Sequence, residues 1–284
     1  MSRLDVHKTY KLYVGGAFPR SESGRVLPAT DATGEVVARV AHASRKDLRD
    51  AVRIARGAHP GWAGRTAYNR GQVLYRIAEM VEDRRSTFVD QLAIDGRSPE
   101  AAKAEVEAAI DRIVWYAGWA DKFAQVFGNL NPVAGPYFNI SAPEPTGVVG
   151  VIAPSEPPLL GLVSTLLPVL VPGNAAVVVA SDRWPLTAVT FAEALATADV
   201  PPGVVNLLTG RAEELVGHLA AHLDVNALDL SGADRGLVAA AQEAAAGNVK
   251  RVHADPPEDW WEAQSPHRIA AFTETKTVWH PKGR

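Results

Sequence analysis

The sequence predicts an α/β protein, a doubly wound parallel sheet with an N-terminal helical layer and a small separate β element. Beyond Gly147, short apolar or mostly apolar runs at 148–153, 175–179, 204–208 and 227–230 alternate with helical patterns, and a last strand is expected near 249–253. Runs that are apolar throughout are strands buried on both faces, and connection through helices makes them parallel. Before residue 130 the apolar residues recur at helical spacing instead, which places a helical layer first. The 284 residues, 47% of them hydrophobic, suffice for a large core without disulfides or metals.

Taken in order, 12–16 and 35–40 alternate between turn formers and read as a short β region. Ser44 with Asp47 three residues on forms a capping-box signal, after which Leu48, Ala51, Val52 and Ala55 share one helical face. Leu74, Ile77, Ala78 and Val81 repeat that spacing. Ser98-Pro99 is a favourable N-cap and first-turn pair, and the helix it opens is expected to run toward Gln125. Its inward side is expected to carry Ala109, Ile110, Ile113, Val114 and Ala117, with Trp115, Tyr116 and Trp119 packing against the next layer. Further helices are expected from Leu159, Pro185 and Arg211 and over 237–246. An acidic, proline-containing link at 255–262 then leads to one strand over 269–280, closed by Pro281.

Composition excludes several functions. With no cysteine there is no thiol nucleophile, disulfide or thiolate metal ligand. A net charge of -3, from 29 Lys+Arg and 32 Asp+Glu, gives no strong attraction to nucleic acid or an acidic membrane. Residues 1–11 have no apolar core, so neither a signal peptide nor a membrane anchor is expected. The longest apolar stretch, 159–171, contains Pro168 and is short of the ~20 residues that cross a bilayer. A cytoplasmic protein with small-molecule or protein partners is expected.

Several segments resemble one family. Tyr13-Val-Gly-Gly16, the stretch 51–62, Trp115-Tyr-Ala-Gly-Trp-Ala-Asp121, Glu144-Pro-Thr-Gly-Val-Val-Gly150, Pro172-Gly-Asn174 and Pro201-Pro-Gly-Val-Val-Asn206 occur in the order seen in aldehyde dehydrogenases. Phe272-Thr-Glu-Thr-Lys-Thr-Val-Trp279 is similar to that family's last strand. The resemblance implies a Rossmann-like, NAD-binding-like domain over 1–130 and 147–254, and oligomerisation strands within 131–146 and 268–284. A link at 255–267 stands where the family inserts its catalytic domain. Only 15 residues separate Val252 from Arg268, far below the ~50 of the smallest domains. The missing cysteine agrees, because that domain carries the family's thiolate nucleophile.

The resemblance also locates a degenerate cofactor site at Ala153, Pro154, Ser155, Glu156, Val179, Ser181, Asp182, Ser231 and Gly232. Where the family has Pro-Trp-Asn, whose Asn helps hold an oxyanion, this chain has Pro154-Ser155-Glu156, which sets a carboxylate against developing negative charge. The family's Lys-Pro-Ser-Glu, which grips a ribose, reads Val179-Ala180-Ser181-Asp182. Loss of the Lys removes charge-assisted hydrogen bonds of roughly 1.5–3 kcal/mol each. The phosphate-proximal turn reads Leu230-Ser231-Gly232-Ala233. The general-base motif lines up with Asp255-Pro256-Pro257. No catalytic residue and no bound cofactor are expected; weakened NAD(P) binding is the alternative.

Other signals have plainer readings. His218 and His222 stand at the spacing of a two-imidazole metal site, but no third ligand accompanies them and no metal is expected. Asp234 reads as a helix N-terminal partner. Ser155 follows a strand without a Gly-x-Ser-x-Gly elbow. The retained strands carry the expected oligomer interface, Tyr137, Phe138, Ile140, Phe272, Thr275, Thr277, Val278 and Trp279. The leading expectation is a pseudoenzyme, an assembly or regulatory subunit forming a homo-oligomer such as a dimer, or a hetero-oligomer with a full-length aldehyde dehydrogenase. A two-part branch of the family, in which an active unit is fused to one lacking its catalytic domain, resembles it in the 275–281 ending. The alternative is an NAD(P)-binding oxidoreductase or nucleotide sensor.

Overall fold

The computed structural model describes residues 6–257 and 259–283. Strands β1 (Thr9–Tyr10), β2 (Val26–Thr30) and β3 (Val36–Ala41) form a small sheet ordered β1-β3-β2. The segment 12–16 contributes bridges rather than a strand: Tyr13 exchanges backbone hydrogen bonds of 3.0 and 2.6 Å with Leu207. β2 had no sequence signal because Pro28 interrupts its run, a residue tolerated there at the sheet edge.

The helical layer follows as α1 (Arg45–Ala63), α2 (Ala67–Asp83), α3 (Arg85–Ile94), α4 (Pro99–Trp119) and α5 (Phe123–Phe127). The capping box at Ser44 forms in full, with Asp47 returning a 2.8 Å bond to the Ser44 amide. α3 escaped sequence reading because it buries only Phe88 and Leu92. The helix expected to reach Gln125 stops at Trp119, and the break turns Phe123 into the core, where it stacks on Phe127 at 4.7 Å. Val114, expected inward, is exposed at 39%, while the charged Glu105 and Arg112 occupy the buried face.

Strands β4 (Asn129–Asn131) and β5 (Tyr137–Pro145) lead into the main sheet. Its elements are β6 (Val148–Ile152), α6 (Pro158–Leu170), β7 (Ala175–Val179), α7 (Pro185–Leu195), β8 (Val205–Leu208), α8 (Ala212–Ala221), β9 (Ala227–Asp229), α9 (Arg235–Ala245) and β10 (Arg251–His253). All five strands are parallel, in the order β10-β9-β6-β7-β8, so the winding reverses between β6 and β9. Alternate strand residues feed two cores. Val149, Val151, Ala176 and Val178 pack toward α2, α4, α6 and α7; Val148, Ile152, Val177 and Val179 pack toward α1, α8 and α9. α6 is buried on every side, which accounts for a sequence apolar but for Ser164 and Thr165.

The chain ends in α10 (Pro266–Ala270) and β11 (Thr273–Pro281). The strand expected from residue 269 therefore starts at Thr273. Ser265 caps a helical turn, its hydroxyl accepting from the His267 amide at 3.2 Å, and Ile269 and Phe272 drop into the main core. Phe272, expected with the interface residues, is fully buried, and its carbonyl accepts a 2.9 Å bond from the buried Asn174 side chain. β11 pairs antiparallel with β5 from Thr273↔Pro145 to Pro281↔Tyr137, giving a sheet ordered β11-β5-β4. β4 adds a third strand that the sequence did not announce. Among the described residues no helix is long and apolar enough to cross a membrane. Phe272→Ala is expected to cost roughly 3–5 kcal/mol in urea unfolding, as cavity formation at a fully buried aromatic does.

Candidate functional site

The carboxyl ends of β6, β7 and β9 and the loops that follow them form the region where a doubly wound sheet binds ligands. Six of the nine sequence-derived site residues lie at the β6/β9 reversal: Ala153, Pro154, Ser155, Glu156, Ser231 and Gly232. Ser181 reaches them through a 2.9 Å hydroxyl contact between its Oγ and that of Ser155. Val179 does not, because it is fully buried and its side chain belongs to the core beneath α1. Asp182 is exposed on a separate depression of about 340 Å³ shared with Arg183, Gly210 and Arg211.

At the reversal point two loops touch. A Cβ on Gly232 would collide with Ile152 O and Pro154 N, so the β9 loop rests directly on the β6 loop. Beneath it, Asp229 is fully buried, accepting from the Ser231 amide at 2.9 Å and facing the Arg268 guanidinium at 3.3 Å. Arg268 also donates to Ser231 Oγ at 3.2 Å and lies over the Trp260 ring at 5.8 Å. From the other side Arg112 donates to Ser164 Oγ at 2.6 Å and to the Trp260 and Trp261 carbonyls at 3.2 and 2.9 Å. Residues 254–272 are thereby fastened across the strand ends. Tyr116 stands in the same buried patch, its hydroxyl pushed up to about 12 by burial. Arg112 sits three and four residues from Ala109 and Tyr116 on a buried stripe; a charge at such a position was the readable signal for it.

A second cluster flanks the start of α6. The buried Glu105 accepts from the Leu159 and Leu160 amides at 2.8 and 3.3 Å, capping that helix from α4, and pairs with Arg97 Nε at 2.9 Å. Burial raises its pKa, against the pull of Arg97. Arg97 also binds Glu156, whose other oxygen accepts from Trp184 Nε1 at 2.9 Å. Glu156 is thus committed to structure. Nearby, Asp95 is raised to about 7, first by burial and with Arg97 opposing; its Oδ2 is buried without a hydrogen-bond partner.

Chemically the region is poor. The Ser155 hydroxyl meets another hydroxyl rather than a base. Asp255, aligned with a general base, is exposed and engages Ser231 only through its backbone carbonyl, at 3.4 Å. His218 is exposed, His222 turns out of α8 to accept from the Asp224 amide at 3.1 Å, and the described residues gather no group of three metal-ligating side chains. Asp234 caps α9, accepting from the Leu237 amide at 2.8 Å.

These features define a doubly wound domain of the dinucleotide-binding type. The chain belongs to the aldehyde dehydrogenase family, whose sequence profile matches residues 19–256. It is 34% identical over 251 residues to retinal dehydrogenase 2 of Mus musculus, covering 86% of this chain and 48% of the relative. It is 31% identical to the mitochondrial aldehyde dehydrogenase of Rattus norvegicus, covering 85% and 47%. HpcC from Thermus thermophilus superposes with a TM-score of 0.80 at 30% identity, over 86% of this chain and 47% of that one. The NAD+ complex of an aldehyde dehydrogenase from Bacillus cereus does so at 0.80 and 27%, over 86% and 50%. The chain therefore spans about half the length of the relatives it matches.

A dinucleotide, which the fold implies, does not fit the residues present. Val179 offers no donor, Ser181 is buried against Ser155, and at Gly232 the β9 loop lies directly against the β6 loop backbone. Two depressions flank the region, one beside Asp182 and one between Glu156, Arg97 and Trp260, each of about 340 Å³, at the lower end for a small-ligand pocket.

Two outcomes are expected here. Arg268→Ala leaves Asp229 buried and unpaired and should destabilise by about 3–5 kcal/mol in denaturant titration. Asp95 has a raised folded-state pKa, so between about pH 4 and pH 7 the folded chain holds a proton the unfolded chain has released, and stability falls as pH rises. Asp95→Asn should therefore melt increasingly above the parent as pH climbs through that window, with the gap constant beyond it.

Proposed function

We propose that this chain is a non-catalytic assembly or regulatory subunit of aldehyde dehydrogenase type, acting by self-association or by pairing with a full-length aldehyde dehydrogenase. The observation that carries the reading is the β11-β5-β4 sheet, whose outer strand β11 has no second neighbour among the described residues. Its interface residues divide by face. Leu130, Ile140 and Val278 stand in direct register across the three strands, exposed at 67%, 48% and 48%, with Phe138 beside them. The opposite face carries Tyr137, Thr275, Thr277 and Trp279, with Tyr137 edge-on to Trp279 at 5.8 Å. An apolar row of this kind outside the core marks a contact surface.

The rest of the molecule supports the reading by what it lacks for catalysis. Only 19 residues, 254–272, separate β10 from β11, and among the described ones a single five-residue helix is found, so no reacting domain intervenes. No thiolate is available in this sequence to form the covalent acyl intermediate of aldehyde oxidation.

Calorimetric titration with NAD and with NADP is expected to show no micromolar binding, and the purified chain no aldehyde-dependent NAD reduction; either signal would overturn the non-catalytic part. Light scattering of the chain alone and co-expressed with a full-length aldehyde dehydrogenase tests assembly. A mass above the monomer in at least one sample is expected, and separate monomeric species in both would contradict the proposal.

A further inference from the structure

We infer that the free edge of β11 is a homodimer edge: β11 pairs antiparallel with β11 of a second copy, about a two-fold axis at Thr277. The inference rests on the assembly reading above and names the partner of that same sheet.

The direction of the backbone groups follows from the two ends of the β5 ladder. The Thr146 amide donates to the Phe272 carbonyl at 3.3 Å, and the Lys282 amide to the Pro136 carbonyl at 2.7 Å. In an antiparallel pair hydrogen-bonded positions alternate with non-bonded ones. The register runs without a shift between these ends, so the even-numbered residues of β11 turn their N–H and C=O groups to β5. Those of Thr273, Thr275, Thr277 and Trp279 point outward, and no strand among the described residues lies on that side.

Edges that must stay single are short, bulged, or interrupted by proline or charge. β11 is nine residues long and pairs regularly, its Pro281 comes at the very end, and its two charged residues are engaged within the chain, Glu274 with Arg251 at 2.6 Å and Lys276 with Glu144 at 3.1 Å. Its outward-directed backbone belongs to three threonines and a tryptophan, residue types that favour strands.

A second copy is the occupant because the strand is its own complement. Outward-directed residues must pair odd with odd. Centring the axis on Thr277 aligns the whole of Thr273–Pro281 with itself. Thr275 then lies opposite Trp279 of the second copy, a β-branched residue against an aromatic one, and Glu274 opposite its His280. Lys276 faces Val278, an apolar neighbour for its methylene stem. Centring on Lys276 would oppose two lysines, and centring on Val278 would shorten the overlap. The pairing is isologous, as a closed dimer requires, and extends the sheet from three strands to six.

The absence of cysteine makes single thiols clean reporters. Across a hydrogen-bonded antiparallel pair the Cα atoms are about 5.5 Å apart, within disulfide reach. Mild oxidation of Thr277→Cys with oxidised glutathione is expected to give a disulfide-linked dimer as the main species on a non-reducing gel. Thr275→Cys and Val278→Cys, each opposite a different residue, are expected to stay mostly unlinked. Thr277→Pro removes the outward N–H at the axis and no backbone bond to β5, and Thr277→Val serves as the control for the 2.7 Å side-chain bond to Ser141 that proline also removes. Thr277→Pro is expected to halve the light-scattering mass with an unchanged far-ultraviolet spectrum, and Thr277→Val to leave the dimer mass intact. A dimer that links through Val278→Cys instead, or survives Thr277→Pro, overturns this pairing and leaves the assembly reading standing. So does a chain that is monomeric alone and joins only a full-length aldehyde dehydrogenase. A monomer under both conditions overturns both.

Discussion

The ion pair between Arg268 and Asp229 sets the path of the chain after β10. Asp229 ends a central strand and is fully buried, so a cation must come to it, and the cation comes from the link after β10. Desolvation of the two charges offsets much of their attraction, and the pair contributes mainly by fixing where that link lies. Arg112 holds the same link by the Trp260 and Trp261 carbonyls. Once residues 254–272 cross the strand ends, Phe272 falls into the core, Asn174 secures its carbonyl, and β11 emerges beside β5. The contact that fastens the link at the strand ends therefore also presents the outer strand.

Much of the architecture was readable because it rests on local rules. β6 and β7 appeared as unbroken apolar runs and β8 and β9 as mostly apolar ones, and Ser44, Ser98 and Asp234 announced helices that they cap. What escaped depends on distant partners. α3 and β2 bury too few residues to show a period, and the break after Trp119 reflects packing of Phe123 rather than any turn signal. Val114, expected inward, lies outside while Arg112 lies inside, because a buried guanidinium finds Ser164 and two carbonyls that no spacing argument could supply.

The site was legible by position and less so by chemistry. Gathering Ser155, Glu156, Ser231 and Gly232 at the reversal point follows from the fold. That Glu156 is spent on Arg97 and Trp184 follows from side chains on α7's N-cap and the turn before α4. Val179 illustrates the limit of motif transfer: aligned with a cofactor-gripping lysine, it turns its side chain into the opposite core. Tyr137 and Phe138 illustrate the same limit in a strand, where adjacent interface candidates occupy opposite faces.

The account turns on β11 being retained as a contact strand while reaction chemistry is lost. Amide hydrogen exchange resolved at Thr275, Thr277 and Trp279 tests that most directly, since these N–H groups have no partner within the chain's own sheet. Protection at all three that rises with protein concentration, or on adding a full-length aldehyde dehydrogenase, is the predicted result. Exchange as fast as in an unstructured peptide at every concentration and with that partner present would contradict it.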